Sequence, residues 1–140
     1  MRLSILMFLL FITMNVFSQN FQQYRWENRL LIIVDYSDDQ TKQLQQLALF
    51  KKHQEGLADR KLRVFSFSKK GLLKGTRPSS TWEVGKLPNR FQTDQPFVLY
   101  LVGLDGGIKE IYNQPTALQS IFELIDTMPM RRAEIRQRNY

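Results

Sequence analysis

Residues 29–36, RLLIIVDY, form an almost unbroken run of leucine and β-branched residues. Alternating apolar and polar residues would indicate a strand with one face in water, whereas a continuous apolar run of this length suits a strand buried on both faces. Strands of this kind occur in parallel sheets whose two faces are covered. The run therefore predicts an α/β fold in which this is the first core strand.

The elements that follow predict a parallel crossover unit. Ser37, Asp38 and Asp39 are capping-type residues at the start of a helix that the pattern ends at residues 56–59. The apolar positions of this helix recur at helical spacing and are Leu44, Leu47, Ala48, Phe50 and Leu57. Residues 62–67 then alternate between two faces as a second strand, and a right-handed crossover makes it parallel to the first.

The second half of the chain predicts two further strands and a helix. Residues 96–102 are a buried strand, and the Asp105-Gly106 pair favours a tight hairpin to a strand at residues 108–112. Pro115 then opens a last helix, which ends near residues 128–129. The order is therefore βαβ followed by ββα around a mixed sheet, with a long connection at residues 68–95.

This order of elements resembles the thioredoxin fold, in which a proline that is cis and borders the active site precedes the strand of the second half. Pro96 occupies that place. The redox dithiol of thioredoxins lies in the turn after the first strand, where this chain has residues 36–40, YSDDQ. The chain contains no cysteine, so thiol exchange and peroxiredoxin-type reduction of peroxides are excluded.

Residues 1–18 have the pattern of a secretory signal peptide. Arg2 precedes an apolar run at residues 3–17, and Ser18 supplies a small residue for cleavage before Gln19. A membrane anchor is the alternative, but the run is shorter than the roughly 18–20 residues that a spanning helix needs. We expect export to a periplasm or the cell exterior, with no transmembrane segment after cleavage and one domain at residues 19–140.

Basic residues outnumber acidic ones, with 20 Lys and Arg against 13 Asp and Glu and a net charge of +7. They concentrate in the long connection and at the C-terminus, at Lys69, Lys70, Lys74, Arg77, Lys86, Arg90, Arg131, Arg132, Arg136 and Arg138. In an exported protein this suggests an anionic envelope polymer, lipid headgroups or an acidic partner before nucleic acid. A solvated face that keeps the protein soluble explains the same charges.

Three segments carry a narrower resemblance: YRWENR at residues 24–29, LVGLDGGIK at 101–109 and IDTMPMRRAE at 125–134. They resemble the thioredoxin-like domain of unknown function of exported bacterial proteins. That domain is grouped, as P-DUDES, with modules of vertebrate sushi-repeat and extracellular-matrix proteins. The resemblance implies a thioredoxin-like fold and export, and for the animal relatives an extracellular interaction role. It implies no known reaction.

One group of candidate site residues is acidic. Asp35, Asp38 and Asp39 come at or after the carboxyl end of the first strand, where open α/β folds place their sites. Three carboxylates could bind a cation or share a proton. Helix capping accounts for Asp38 and Asp39 without any site.

A second group is cationic. Lys109 follows the hairpin, and Arg131 and Arg132 are predicted just beyond the last helix. These residues form an anion-binding patch, or they pair with Asp105 and Asp126, or the arginines stabilise the helix dipole.

The remaining polar and aromatic candidates indicate no site. His53, the only histidine, falls on a polar helix face, and without cysteine or a second histidine it predicts no zinc site. Trp26 and Trp82 are expected to pack the N-terminal segment and the long connection rather than to form a stacking platform. We predict no metal, no cofactor and no catalytic residue.

Three functions remain open. The leading hypothesis is a non-catalytic exported module that binds an envelope or extracellular partner. The alternative is electrostatic binding of an anionic polymer or a membrane surface. A third hypothesis is a cysteine-independent enzyme that uses Asp35, Asp38 or Asp39 with Arg131 as an anion stabiliser, which requires one pocket that joins these groups.

Overall fold

The computed structural model describes residues 21–68, 71–73 and 87–139. The predicted signal peptide, most of the basic connection and Trp82 lie outside the described residues. The described residues contain five strands: β1 (Arg29–Asp35), β2 (Leu62–Ser68), β3 (Gly71–Leu73), β4 (Phe97–Val102) and β5 (Ile108–Tyr112). They form one sheet in the order β3-β2-β1-β4-β5.

Strand β1 lies at the centre of this sheet, as its apolar run predicts. It pairs in parallel with β2 and antiparallel with β4, and β4 pairs antiparallel with β5. All seven residues of β1 are buried. The predicted βαβ and ββα order around a mixed sheet, which is the thioredoxin-like arrangement, is therefore confirmed.

The same part of the chain contains four α-helices: α1 (Thr41–Lys52), α2 (Gln54–Asp59), α3 (Leu118–Thr127) and α4 (Pro129–Arg138). One face of the sheet, with Leu31 and Ile33, packs against apolar side chains of α1, α2 and α3. The opposite face packs against two short 3₁₀ helices, Phe21–Tyr24 and Asn89–Phe91. Within the described residues, no helix is long and apolar enough to cross a membrane.

The predicted end of the first helix at residues 56–59 is confirmed, because the helical segment ends at Asp59. The helix is not continuous, however: His53 leaves the helical conformation and separates α1 from α2. A β-carbon built at Gly56 would lie 2.5 Å from Cε2 of Phe122, so glycine lets α2 pack closely on α3. Leu44 is 60% exposed, since α1 turns Gln43 and Phe50 toward the sheet instead.

The last predicted helix also differs. It begins at Leu118 rather than Pro115, and Met128 is extended, so the chain turns there. Pro129 then starts α4, because the fixed φ of proline suits the first turn of a helix. Arg131 and Arg132, predicted beyond the last helix, therefore lie in the first turn of a further helix.

The hairpin between β4 and β5 forms as predicted, and Gly106 has the left-handed φ of 78° that its turn requires. The peptide bond before Pro96 is trans. Trp26 does not pack as predicted. Its backbone N–H donates to the Leu104 carbonyl at 2.6 Å, while its indole is 58% exposed, because a positive φ at this turn leaves the side chain at the surface.

Candidate functional site

The carboxyl end of β1 is organised around the fully buried Asp35. Its Oδ1 accepts hydrogen bonds from the Ser37 N–H, at 2.9 Å, and from the Ser37 hydroxyl. Its Oδ2 accepts from the Gln43 N–H at 3.1 Å. Because Gln43 is in the first turn of α1, Asp35 caps a helix that begins six residues after it.

Asp38 and Asp39 are exposed in the turn between β1 and α1. Asp39 Oδ1 accepts from the Thr41 N–H at 3.2 Å, and this backbone hydrogen bond holds the pKa of Asp39 below its usual value. Within the described part of the chain, no three acidic or histidine side chains are arranged to hold a metal ion. The geometry at this end is that of helix capping, and a binding role for these carboxylates stays a prediction.

The amino end of β1 carries a cluster of ion pairs. Arg29 is 1% exposed, and its Nη1 donates to Glu134 Oε2 at 3.2 Å and to the Arg60 carbonyl at 3.0 Å. Arg131 is 3% exposed and donates to Asp126 Oδ1 at 3.1 Å. It also donates to the Asp59 carbonyl at 2.8 Å and pairs with the Asp59 carboxylate.

These ion pairs connect α2, α3 and α4, and they require the acidic side chains to be ionised. Burial raises the pKa of Asp59, but hydrogen bonds from Arg138 and Arg131 outweigh it and lower the pKa overall. Burial likewise raises the pKa of Asp126, and hydrogen bonds from Arg60 and Arg131 reverse the direction. Arg131 therefore connects three helices and is not an exposed anion-binding group.

The three predicted cationic site residues, Lys109, Arg131 and Arg132, lie in different surroundings. Arg131 pairs with Asp126, and Lys109 Nζ lies 2.7 Å from Asp105 Oδ2, so both predicted pairings are present. This hydrogen bond from Lys109, with one from the Gly107 N–H, lowers the pKa of Asp105. Arg132 is exposed on α4.

The acidic and cationic groups lie at opposite ends of the sheet. Asp35 is the last residue of β1, while Arg29, the first, bonds the same Glu134 as Arg131 does. Arg29 and Asp35 are six residues apart along this strand, which at about 3.3 Å per residue separates the two ends by about 20 Å. One pocket cannot therefore join Asp35, Asp38 or Asp39 to Arg131, as the hypothesis of a cysteine-independent enzyme that uses these residues requires.

A cavity of about 320 Å³ opens beside the ion pairs, and we name it the Arg29 cavity. Its walls are Arg29, Lys109, residues 103–105 of the hairpin and residues 128–130 at the start of α4. A β-carbon at Gly103 would lie 2.5 Å from Cε of Lys109, so glycine lets the lysine side chain cross the hairpin. The cavity brings together two predicted site residues, Asp105 and Lys109.

Arg29 is the functional candidate that the sequence interpretation missed. Its Nε and Nη2 are buried and have no hydrogen-bond partner among the described residues. The available signal was a charged residue at the start of a strand whose next five residues are apolar and buried. A long charged side chain is rarely buried completely unless it is paired.

Comparisons with known proteins place the chain in a family. A crystal structure of reduced 2-Cys peroxiredoxin from Plasmodium vivax matches 86% of this chain and 85% of its own, with 12% sequence identity and a TM-score of 0.49. None of the curated proteins matches the sequence significantly. The family model described as domain of unknown function DUF4174 matches residues 20–134. The chain therefore belongs to the DUF4174 family.

Proposed function

We propose that the mature chain is an exported, non-catalytic thioredoxin-like module that binds a protein of the envelope or the extracellular space. The observation that carries this proposal is that the turn after β1 has a structural role in place of a redox dithiol. No cysteine is present there, and the buried Asp35 carboxylate is engaged by Ser37 and Gln43 in holding α1. The position that is reactive in thioredoxins is occupied by a structural hydrogen-bond network.

The proposal includes export through residues 1–18 and membership of the P-DUDES group, whose vertebrate relatives include sushi-repeat proteins. The resemblance implies an extracellular interaction role for those relatives. Such a role suits a thioredoxin-like fold that lacks the redox chemistry of thioredoxins.

Three exposed apolar side chains around the hairpin suit a protein interface, and we name them the hairpin surface: Trp26, Ile108 and Met130. The Trp26 N–H bonds the Leu104 carbonyl, Ile108 begins β5, and Met130 shares the cavity wall with Leu104. Aromatic residues and methionine are enriched at protein interfaces. Strand β5 is also at the edge of the described sheet, with most of its side chains exposed.

The electrostatic alternative receives less support from the C-terminal arginines. Arg131 and Arg138 both pair with Asp59, so two of the four basic residues there already have an acidic partner within the protein. Arg90 of the basic connection donates to the Gly106 carbonyl at 2.7 Å. The carboxylate beside Arg131 and Arg138 lowers the local positive potential that would attract an anionic polymer, whereas Arg90 keeps its full charge.

The test is affinity capture from an envelope extract of the native cell with residues 19–140, at about 50 and about 200 mM salt. We expect one defined protein to be retained at both salt concentrations. Ile108→Glu should abolish its retention, and Leu44→Glu is the matched control because it changes an exposed apolar side chain on α1.

Two results would contradict the proposal. Retention of anionic polymer or lipid only at the lower salt concentration would favour the electrostatic function. No retained protein at either concentration would favour a cysteine-independent activity and justify a substrate screen.

A further inference from the structure

The guanidinium of Arg29 is hydrogen-bonded to the part of the chain that the structure describes through only one of its three nitrogens. Nη1 is fully engaged by Glu134 and the Arg60 carbonyl, while Nε and Nη2 have no hydrogen-bond partner among the described residues. Nε and Nη2 form the edge of a guanidinium whose two N–H groups point in parallel. That edge matches the two oxygens of a carboxylate in a bidentate pair.

Leaving two N–H groups of a buried cation without an acceptor is costly. Removing a buried donor from water without a partner costs about 1–3 kcal/mol, and more for a charged group. Buried polar groups without a partner in a native protein need a physical explanation. Arg29 forms part of the cavity wall, but its Nε and Nη2 are buried, so an acceptor in the cavity would supply a partner only if side chains of the wall move aside.

The remainder of the wall favours an anion with an apolar body. Lys109 adds a second cation, which is paired with the Asp105 carboxylate of the same wall, and the first turn of α4 adds the positive end of a ten-residue helix. Leu104, Met128 and Met130 provide apolar contact. Methionine side chains are flexible, so these two can move to admit a ligand to the buried guanidinium edge.

We infer that the Arg29 cavity binds a carboxylate carried on a short aliphatic segment, such as the C-terminus of a peptide or a small free acid. The inference rests on the proposed binding function and specifies the chemistry of one contact in it. The volume of about 320 Å³ lies at the lower end of the range for ligand pockets and suits a branched aliphatic acid.

The inference is tested by NMR titration of ¹⁵N-labelled residues 19–140 with isovalerate, with its neutral amide isovaleramide, and with inorganic phosphate. We expect isovalerate to shift the amide signals of Arg29, Gly103 and Met130. Isovaleramide should bind at least about tenfold more weakly, since the hydrogen bonds to a charged carboxylate are lost. Equal binding of the amide, or tighter binding of phosphate, would overturn the inference.

Three variants test whether isovalerate binds in the Arg29 cavity. Arg29→Lys keeps the charge but removes the two-pronged edge, and it should abolish isovalerate binding. Lys109→Gln changes a side chain at the cavity rim and should weaken binding several-fold even if Arg29→Lys does not fold. Arg132→Gln is the matched control, because it removes one exposed positive charge outside the cavity and should leave binding unchanged. Equal effects of Lys109→Gln and Arg132→Gln would overturn the inference.

Two peptides, acetyl-Gly-Val-Leu with a free or an amidated C-terminus, identify the source of the carboxylate. Tighter binding of the free peptide than of isovalerate supports a peptide end, and the reverse supports a free acid. If the captured partner is retained while no carboxylate binds, the inference fails and the proposed function stands. If carboxylates bind through Arg29 and Lys109 while no partner is captured, the proposed protein-binding function fails and the cavity chemistry stands.

Discussion

Replacing Asp35 with asparagine tests whether the carboxyl end of β1 is structural. In the wild type, Oδ1 accepts from the backbone and hydroxyl of Ser37, and Oδ2 accepts from the Gln43 N–H. An amide keeps one acceptor oxygen and places an NH₂ group against the other donor. Since Asp35 is fully buried, water cannot replace the lost acceptor, and a backbone N–H becomes unpaired.

The loss of stability follows from these contacts. A hydrogen bond to a charged group contributes about 1.5–3 kcal/mol, and a negative charge at a helix N-terminus adds about 0.3–1 kcal/mol. We therefore expect Asp35→Asn to lower the free energy of unfolding by about 2–4 kcal/mol. Asp39→Asn is the matched control, with a smaller expected loss because water can replace the bond from Thr41 at an exposed site.

Urea denaturation of residues 19–140, followed by circular dichroism and tryptophan fluorescence, measures both losses, and an unchanged slope in urea shows that the variants unfold in the same way. A stability of Asp35→Asn equal to or above that of the wild type would refute the reasoning. Functional carboxylates are often held at a cost to stability, so that result would restore the hypothesis of an acidic site.

Three further predictions concern the helices. Gly56→Ala should lower the free energy of unfolding by about 1–3 kcal/mol, since its new methyl group overlaps the Phe122 ring at 2.5 Å; a higher melting temperature would contradict this. Asp59 and Asp126 have lowered pKa values in the folded state. The stability that they contribute is therefore complete above their unfolded pKa of about 3.9, and it is lost as the pH falls through the folded values. Urea denaturation from about pH 6 to about pH 2 should show this loss, and Asp126→Asn should reduce it. Leu44→Ala should change the free energy of unfolding by no more than about 0.5 kcal/mol, because Leu44 is exposed, and a loss above about 1 kcal/mol would place it in the core.

Four of the five described strands were predictable because their signals are local, whereas β3 lies within the predicted connection. The apolar run of β1 and the alternation of β2 report burial residue by residue, and the Asp105-Gly106 turn specifies a hairpin within a few residues. The end of α3 near residues 128–129 was predicted correctly, but the helix that Pro129 begins was missed, because a proline that follows one helix is equally suited to begin the next. The break at His53 left no comparable sequence signal.

The candidate site depends on contacts that no local pattern encodes. Arg29 and Glu134 are 105 residues apart, and Arg131 and Asp59 are separated by 72. By itself the sequence determined the order of the elements, the parallel crossover and the exclusion of thiol chemistry, because these depend on local apolar patterning and on which atoms are present. The tertiary structure alone decided which charges are buried together and which edge of Arg29 has no partner, since burial and pairing arise only when distant segments pack.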